Sequence, residues 1–397
     1  MSSTTGYARL TPSQARVVLA VVGLALGLGV AVTLSPMASS NLKSRPNEAS
    51  DVALYRAEVD RIRGGEGYYR VAAAELTARG YPTRSVFNWR TPLPMWLLGK
   101  MPAVVLGKAL LGSLALALML LAFEAMTRDQ NAAATVNPEL PPPVVEAERM
   151  VCGPGDLFRR HGRAIACVLL LTGPLLPTVL GDLFVLPVLW AGVLIAISVC
   201  AYGVNRPLLG TVFGLMAVFF RELALPYCVL CAGIAWWNGR RGELAAWTLG
   251  LTAWLLLFGL HAWQVSGLIA PDAHAHRQGW LQFGGAGFVI STAQMNAYLL
   301  LLPQWVTAVY LVAAMVGFAG WNTPLGMRTG LAACLFLTAF AMVGQSFNQY
   351  WGSLMAPLLC FGVVRFPASI RDLYRAATAP SEKGALHPRH GFLPKRR

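Results

Sequence analysis

Apolar stretches long enough to cross a lipid bilayer alternate with short polar segments along most of the 397-residue chain. A spanning helix needs ~20 mostly apolar residues, and shorter pieces suffice where a helix is broken. On that rule the hydropathy pattern predicts helices near 17 to 35, 93 to 123, 164 to 181, 183 to 202, 207 to 220, 223 to 237, 243 to 263, 293 to 317, 329 to 345 and 350 to 366, about ten in all. Two long segments interrupt the alternation. In the first, 36 to 92, Val52, Tyr55, Val59 and Ile62 recur at the spacing of an amphipathic helix, with Ser50 as its N-cap. A second helix, Tyr69 to Arg79, ends on Gly80, and "GGEG" (Gly64 to Gly67) forms the hinge between the two. This pattern predicts a pair of helices lying on the membrane face. The second interruption, 125 to 162, contains "NPELPPPVVEAE", which is Pro-rich, charged and without apolar periodicity, and predicts a mobile loop. The fold class expected is all-α, a polytopic membrane protein without internal repeat.

Composition supports the membrane and excludes a water-soluble globule. With 56% hydrophobic and 13% charged residues, the chain has too little polar surface to cover so many apolar runs. The net charge of +14 lies between apolar runs, where it orients helices and meets membrane lipids, so a nucleic-acid partner is excluded. An even number of spans returns both termini to one side. The basic stretch 367 to 397, with Arg371, Arg375, Lys383, Arg389, Lys395, Arg396 and Arg397, puts that side in the cytoplasm as a disordered tail behind a membrane module spanning 1 to 366. The loop 125 to 162, Asn205, Asn238 and Arg328 are then inside, and 36 to 92, Arg221 and 264 to 292 are outside. The uncharged run Val17 to Leu34 exceeds the ~7 to 15 residues of a signal-peptide core and is expected to remain as an anchor. Six of the seven cysteines lie in apolar segments, so no disulfide framework is expected, and Cys228 and Cys231 are read as packing residues.

Candidate chemistry concentrates toward the outer face. Asp51 opens an outer helix, where the positive end of the helix dipole favours its ionised form. Arg221 and Glu222 form one adjacent ion pair within a long apolar stretch, placing them at a surface or along a polar cavity, since each would cost ~2.5 to 3.5 kcal/mol at the centre of a span. In "FNWRTPLPMW" (Phe87 to Trp96) the chain re-enters the membrane, with Trp89 and Trp96 suited to the interface and Arg90 either a snorkelling anchor or a phosphate ligand. His261, His274 and His276 with Asp272 fit no specific zinc motif and are read as solvated or substrate-contacting groups. "GGAGF" (Gly284 to Phe288) lacks the strand and spacing of a dinucleotide site and is expected to be a flexible turn.

The order of these parts resembles the GT-C superfamily of membrane glycosyltransferases, closest to aminoarabinose transferases acting on lipid A and to protein O-mannosyltransferases. The resemblance rests on an outer loop beginning Asp-x-x-x-Tyr (Asp51, Tyr55), a later Gly-x-Tyr (Gly67, Tyr69), the Pro-containing entry at Pro92 and Pro94, the stretch "NRPLLGTVFGLMAVFFRELALPYCVL", and "NQYWGSLMAPLL" (Asn348 to Leu359). It covers about residues 17 to 366. Arg221 and Glu222 stand where the family has Lys-Gly, and Val52 follows Asp51 where Glu is usual.

What the resemblance implies is transfer of a sugar from a polyprenyl-phosphate donor to a hydroxyl of a lipid or glycan acceptor, with inversion, on the outer face of the plasma (inner) membrane. Asp51 would be the base, with Asp60 and Glu66 as the other acids of the loop able to serve. Arg90 and Arg221, with Tyr55, Tyr69 and Tyr350, would hold the donor phosphate. Glu222, His274, His276 and Gln349 would contact substrate. No organic cofactor is implied, and a divalent cation, Mg or Mn, is left open. The competing classes are a transporter or lipid flippase, which needs ionisable residues spread through mid-membrane, and a non-catalytic scaffold of the same fold.

Overall fold

The computed structural model describes residues 5–35, 48–135, 154–275 and 282–380, and among them every regular element is helical. Helix α1 (Pro12–Leu34) starts on a capping box: the Thr11 hydroxyl accepts from the Gln14 amide while the Gln14 side chain accepts from the Thr11 amide. Next come α2 (Glu48–Arg63) and α3 (Tyr68–Ala78), joined through Gly65 at φ +95°. After α4 (Pro92–Lys100) the chain runs through α5 (Val104–Thr135), α6 (Pro154–Leu175), α7 (Pro187–Gly203), α8 (Pro207–Phe220), α9 (Leu225–Trp237) and α10 (Arg241–Ser266). The remainder is α11 (Gly285–Ala293), α12 (Ala297–Leu300), α13 (Gln304–Ala319), α14 (Pro324–Met342) and α15 (Ala356–Thr378).

Four helices, α1, α5, α10 and α14, are long and apolar enough to cross a membrane, and a fifth crossing results if α15 is joined to the 3-10 segment before it across a 62° bend. The apolar helices α7, α8, α9 and α13 are shorter. Helix α1 exposes Val17, Val21, Leu24 and Leu28, and α10 exposes Leu249, Leu255, Leu256 and Trp263. Contiguous apolar faces of this kind are covered by lipid, and each helix satisfies its backbone hydrogen bonds internally as the hydrocarbon layer requires. The chain is a helical membrane protein. At the centre lies α7, buried from Pro187 to Ala201 and packed by α8, α5 and α14.

Several boundaries differ from the hydropathy reading, each for a local reason. The helix expected over 93 to 123 is two helices, because the chain is extended at Met101 before α5 begins. The span expected over 293 to 317 is broken into α11, α12 and α13, with Asn296 capping the middle piece and Pro303 preceding the last. "GGAGF" is not a turn: α11 starts within it at Gly285, and Gly284 approaches the Phe340 backbone so closely that a Cβ there would lie 2.3 Å from its carbonyl oxygen. Helices α5 and α6 reach into the loop expected over 125 to 162, and what remains of that loop lies outside the described residues. Ser50 does not cap α2, which already runs from Glu48.

The beginning of the basic tail is also ordered. Helix α15 continues to Thr378 and buries Ala368, Ser369, Asp372, Leu373 and Ala377 against the N-terminal segment. There the Thr5 amide donates to Asp372 Oδ2 at 2.8 Å, the Gly6 amide to the Gly320 carbonyl at 2.9 Å, and Arg16 Nε to the Ala377 carbonyl at 3.0 Å. Residues 381–397 of the expected tail lie outside the described residues.

Candidate functional site

The stripe on α2 fixes the site's first wall. Tyr55, Val59 and Ile62 are buried and Val52 is half-buried, seating α2 on α4 so tightly that a Cβ on Gly99 would lie 2.5 Å from Ile62. Asp51, Tyr55 and Glu58 follow one another at helical spacing and share a face. The 80–91 segment, entered through Gly80 at φ +70°, folds over that face. From it the Tyr81 hydroxyl donates to Asp51 Oδ1 at 2.5 Å, and Arg90 Nε donates to the Tyr55 hydroxyl at 2.8 Å. Arg90 is fixed further: its Nη1 donates to the Phe87 carbonyl at 2.8 Å and its own carbonyl accepts from the Tyr68 hydroxyl. With a side chain only 12% exposed, it is no snorkelling anchor.

The second wall is the junction between α8 and α9. Helix α8 ends at Phe220, Arg221 takes an extended conformation (φ −150°, ψ 117°), a 3-10 turn covers Glu222–Ala224, and Pro226 lies in the first turn of α9. This break turns an apolar run into two short helices and delivers a cation and an anion at one point. Arg221 Nη1 lies 3.2 Å from Glu222 Oε1, and Arg90 Nη1 lies 3.8 Å from the same oxygen. Arg221 Nε is buried without a hydrogen-bond partner. Thr91, just before α4, ties the two walls by donating to the Phe219 carbonyl at 3.3 Å. Tyr350 enters from the 3-10 segment Ser346–Leu354 and interacts electrostatically with Arg90, Asp51 and Arg221. Burial pushes the Tyr55 hydroxyl far above the usual phenol range, so it remains a neutral hydrogen-bonding group beside Arg90.

Residues next to this polar cluster in the chain help to line an apolar cavity of about 400 Å³. Its walls include Leu93 and Leu97 of α4, Leu114 of α5, Trp190 of α7, and Phe219 and Phe220 immediately before Arg221. Two neighbouring arginines thus lie close in the chain to residues that line an apolar cavity.

Asp51, Tyr55, Arg90, Arg221, Glu222 and Tyr350, singled out in the sequence, come together here. The others lie elsewhere. Asp60 pairs with Arg56 and Arg63 on the exposed side of α2. Glu66 is bound by Arg61, whose hydrogen bonds hold its carboxyl below the usual range, and by Arg70. Tyr69 contacts His261 instead, with its hydroxyl 3.2 Å from Nδ1. His261 is not part of an outer-loop histidine cluster: it is buried in α10, with Nε2 3.3 Å from the Trp89 carbonyl. His274 is exposed and contributes its carbonyl to the Arg84 amide, His276 lies outside the described residues, and Gln349 is half-buried beside Tyr350. Trp89 is not an interface anchor, being 3% exposed with its Nε1 donating to the Thr83 carbonyl at 2.9 Å. Among the described residues no three His, Cys, Asp or Glu side chains gather as a metal would need.

Sequence reasoning missed Tyr81 and Glu58. No periodicity places Tyr81, since it reaches Asp51 across 30 residues through an irregular segment. Glu58 carried a legible signal, lying seven residues after Asp51 and three after Tyr55 on the buried face. Arg328, expected just before the helix over 329 to 345, lies within α14, buried, with its guanidinium 3.5 Å from the centre of the Tyr202 ring, Nη1 donating to Cys231 Sγ at 3.1 Å and Nη2 3.8 Å from Glu243 Oε1. Cys231 is thus a partner of that cation as well as a packing residue. No protein-family model, curated protein or solved structure matches the chain.

Proposed function

We propose that the protein is a membrane glycosyltransferase of the GT-C type, with about ten spans and both termini in the cytoplasm. It moves a sugar from a polyprenyl-phosphate donor to a hydroxyl on a lipid or glycan acceptor at the outer face of the plasma membrane. The observation that supports this reading best is the gathering of Asp51, Arg90 and Arg221, with Phe219 and Phe220, next to Arg221 in the chain, lining an apolar cavity. A lipid-linked phosphate needs that combination: an apolar chamber for the proximal chain and fixed cations at head-group height. Arg90 and Arg221 would hold the phosphate oxygens, displacing Glu222 from one or both of them.

In the reaction the acceptor oxygen attacks the anomeric carbon from the face opposite the phosphate. The bond from that carbon to the phosphate oxygen breaks, and the acceptor proton passes to Asp51. Because Tyr81 donates to Oδ1, Oδ2 is the oxygen left to accept the proton. The two guanidinium groups stabilise charge as it develops on the leaving phosphate, and inversion follows from the single displacement. The reaction as drawn uses no metal.

The test is sugar transfer and donor binding by the purified full-length chain in nanodiscs. Asp51→Asn is expected to keep the fold and donor binding while lowering transfer by roughly 10²- to 10⁴-fold, the usual effect of losing a general base. Arg221→Lys should retain part of the donor affinity and Arg221→Ala lose most of it. Full turnover by Asp51→Asn, with Asp60→Asn and Glu66→Gln equally silent, would overturn the enzyme reading. Donor binding that survives with no transfer by the wild type would favour the scaffold.

A further inference from the structure

Behind Arg90 lies an acid for which the reaction above has no use. Glu58 is 2% exposed, and its Oε2 is buried without any hydrogen-bond partner. It lies one turn past Tyr55, which binds the Arg90 guanidinium, and beside Tyr68, which binds the Arg90 carbonyl. An ionised carboxylate cannot remain buried without a partner except at a cost of several kcal/mol, which a proton removes. Around it α3 contributes Tyr68, Glu75 and Arg79, its own helix contributes Asp51, and Arg90 faces it from the segment before α4. Two of these neighbours offset each other, because Glu75 is already paired with Arg79 and Arg61. The other elements packed on α2 are α4, whose Lys100 is exposed, and the turn following Asp182, which pairs with Arg56.

We propose that Glu58 is a positioning residue of this site, a neutral acid behind Arg90 that leaves the guanidinium's charge to an incoming phosphate anion. Ionising Glu58 would add a second negative charge, besides Glu222, within electrostatic reach of Arg90 and so weaken the site for anions. The outer site thereby becomes sensitive to alkaline pH through a residue that touches neither substrate. Burial pushes the Glu58 carboxyl up to about 8, Arg90 opposing that rise and Glu75 adding to it, which sets where the change falls. This inference rests on the donor-binding reading given above.

The experiment is binding of farnesyl phosphate to the full-length protein in nanodiscs from pH 7 to pH 9.5. The probe's own second ionisation, near pH ~6, is complete throughout this range. Wild-type affinity should be flat to about pH 8 and then fall, by at most tenfold per pH unit for one linked proton. Glu58→Gln should bind as tightly as the wild type at pH 7 and show no alkaline fall. Glu58→Met, neutral and similar in length, should behave likewise and replaces Glu58→Gln if that variant does not fold. Wild-type binding that stays flat to pH 9.5, or a fall that persists in both variants, overturns the role of Glu58 and leaves the function intact. Absence of binding at every pH, with Arg221→Ala indistinguishable from wild type, overturns the donor reading and this inference together.

Discussion

Two arginine clusters lie at opposite ends of α8, separated by about 20 Å of helix. At one end Arg221 and Arg90 share a single carboxylate oxygen of Glu222, and Arg221 keeps an unpartnered nitrogen. At the other end Arg328 is stacked on Tyr202, hydrogen-bonded to Cys231 and paired with Glu243, whose side chain is 7% exposed. Both clusters are buried in a protein with few charges, yet they solve different problems. Arg328 is enclosed by groups matched to it on three sides and holds α7, α9, α10 and α14 together. The Arg90–Arg221 pair carries an excess of positive charge over its nearest partner and follows directly on two residues, Phe219 and Phe220, that line a cavity. A buried cation with an aromatic face, a thiol and an acid to itself supports the fold, whereas two cations dividing one anion are prepared for a second.

That contrast can be broken by mutation. Arg328→Ala empties the face of Tyr202, removes the donor to Cys231 and leaves Glu243 with Arg240, and should destabilise the protein by about 1.5 to 3 kcal/mol, the usual contribution of a hydrogen bond made by a charged group. Thermal unfolding in detergent measures it. Arg221→Leu with Glu222→Leu removes both charges together and should leave stability close to that of wild type while abolishing donor binding. A double variant that remains stable and binds donor would place the outer pair in the same class as Arg328. Next in size is Tyr81→Phe, which removes the hydroxyl that donates to the Asp51 carboxylate. A hydrogen bond to a charged group contributes about 1.5 to 3 kcal/mol, so a variant whose Asp51 carboxylate has lost this donor should transfer sugar roughly 10- to 150-fold more slowly with donor binding unchanged. Unchanged turnover would reduce Tyr81 to packing.

The pH dependence of stability sharpens the comparison further. Glu58 is protonated in the folded protein up to about pH 8, while in the unfolded chain it ionises near the ordinary value of 4.5. The folded state therefore binds more protons across that window, and its stability falls as pH rises from 4.5 to 8. Glu58→Gln lacks this penalty and should gain on the wild type progressively over the same interval, with no further gain above pH 8. The smallest effect is expected from Leu114→Trp, which fills part of the apolar cavity. It should weaken binding of farnesyl phosphate by a few-fold and leave inorganic phosphate unaffected, since only the chain enters that space.

How far the sequence anticipated these regions depends on the range of the interactions. The α2 stripe, the hinge at Gly64 to Gly67 and the termination at Gly80 are written in local periodicity and turn chemistry, and the structure follows them within a residue or two. The meeting of Asp51 with Arg90 and Arg221 was legible only through the order of motifs, because no local rule brings residues 51, 90 and 221 together. Apolar length misled over 293 to 317, where Asn296 and Pro303 interrupt the expected span, whereas the break at Arg221 falls where the helices expected over 207 to 220 and 223 to 237 leave it. Arg328 was placed just before the helix expected over 329 to 345, on the inner side, by the positive-inside rule, and lies instead inside α14. The cost of burying that cation is met by Tyr202, Cys231 and Glu243, three residues from three other helices that only the tertiary structure unites.

The stitch between Thr5 and Asp372 has a consequence for biosynthesis. The two residues are 367 positions apart, and at ~5 to 20 residues per second the ribosome needs roughly 20 to 70 s to pass from one to the other. During that interval α1 is already in the bilayer with its partner surfaces on α13 and α15 not yet made. It can wait there because lipid satisfies its apolar faces as well as protein would. The closing contacts, Thr5 to Asp372, Gly6 to Gly320 and Arg16 to Ala377, form only when α15 arrives, so a nascent chain that stalls before Asp372 stays open at this corner and presents an unlatched N-terminal segment to the cell's surveillance proteases.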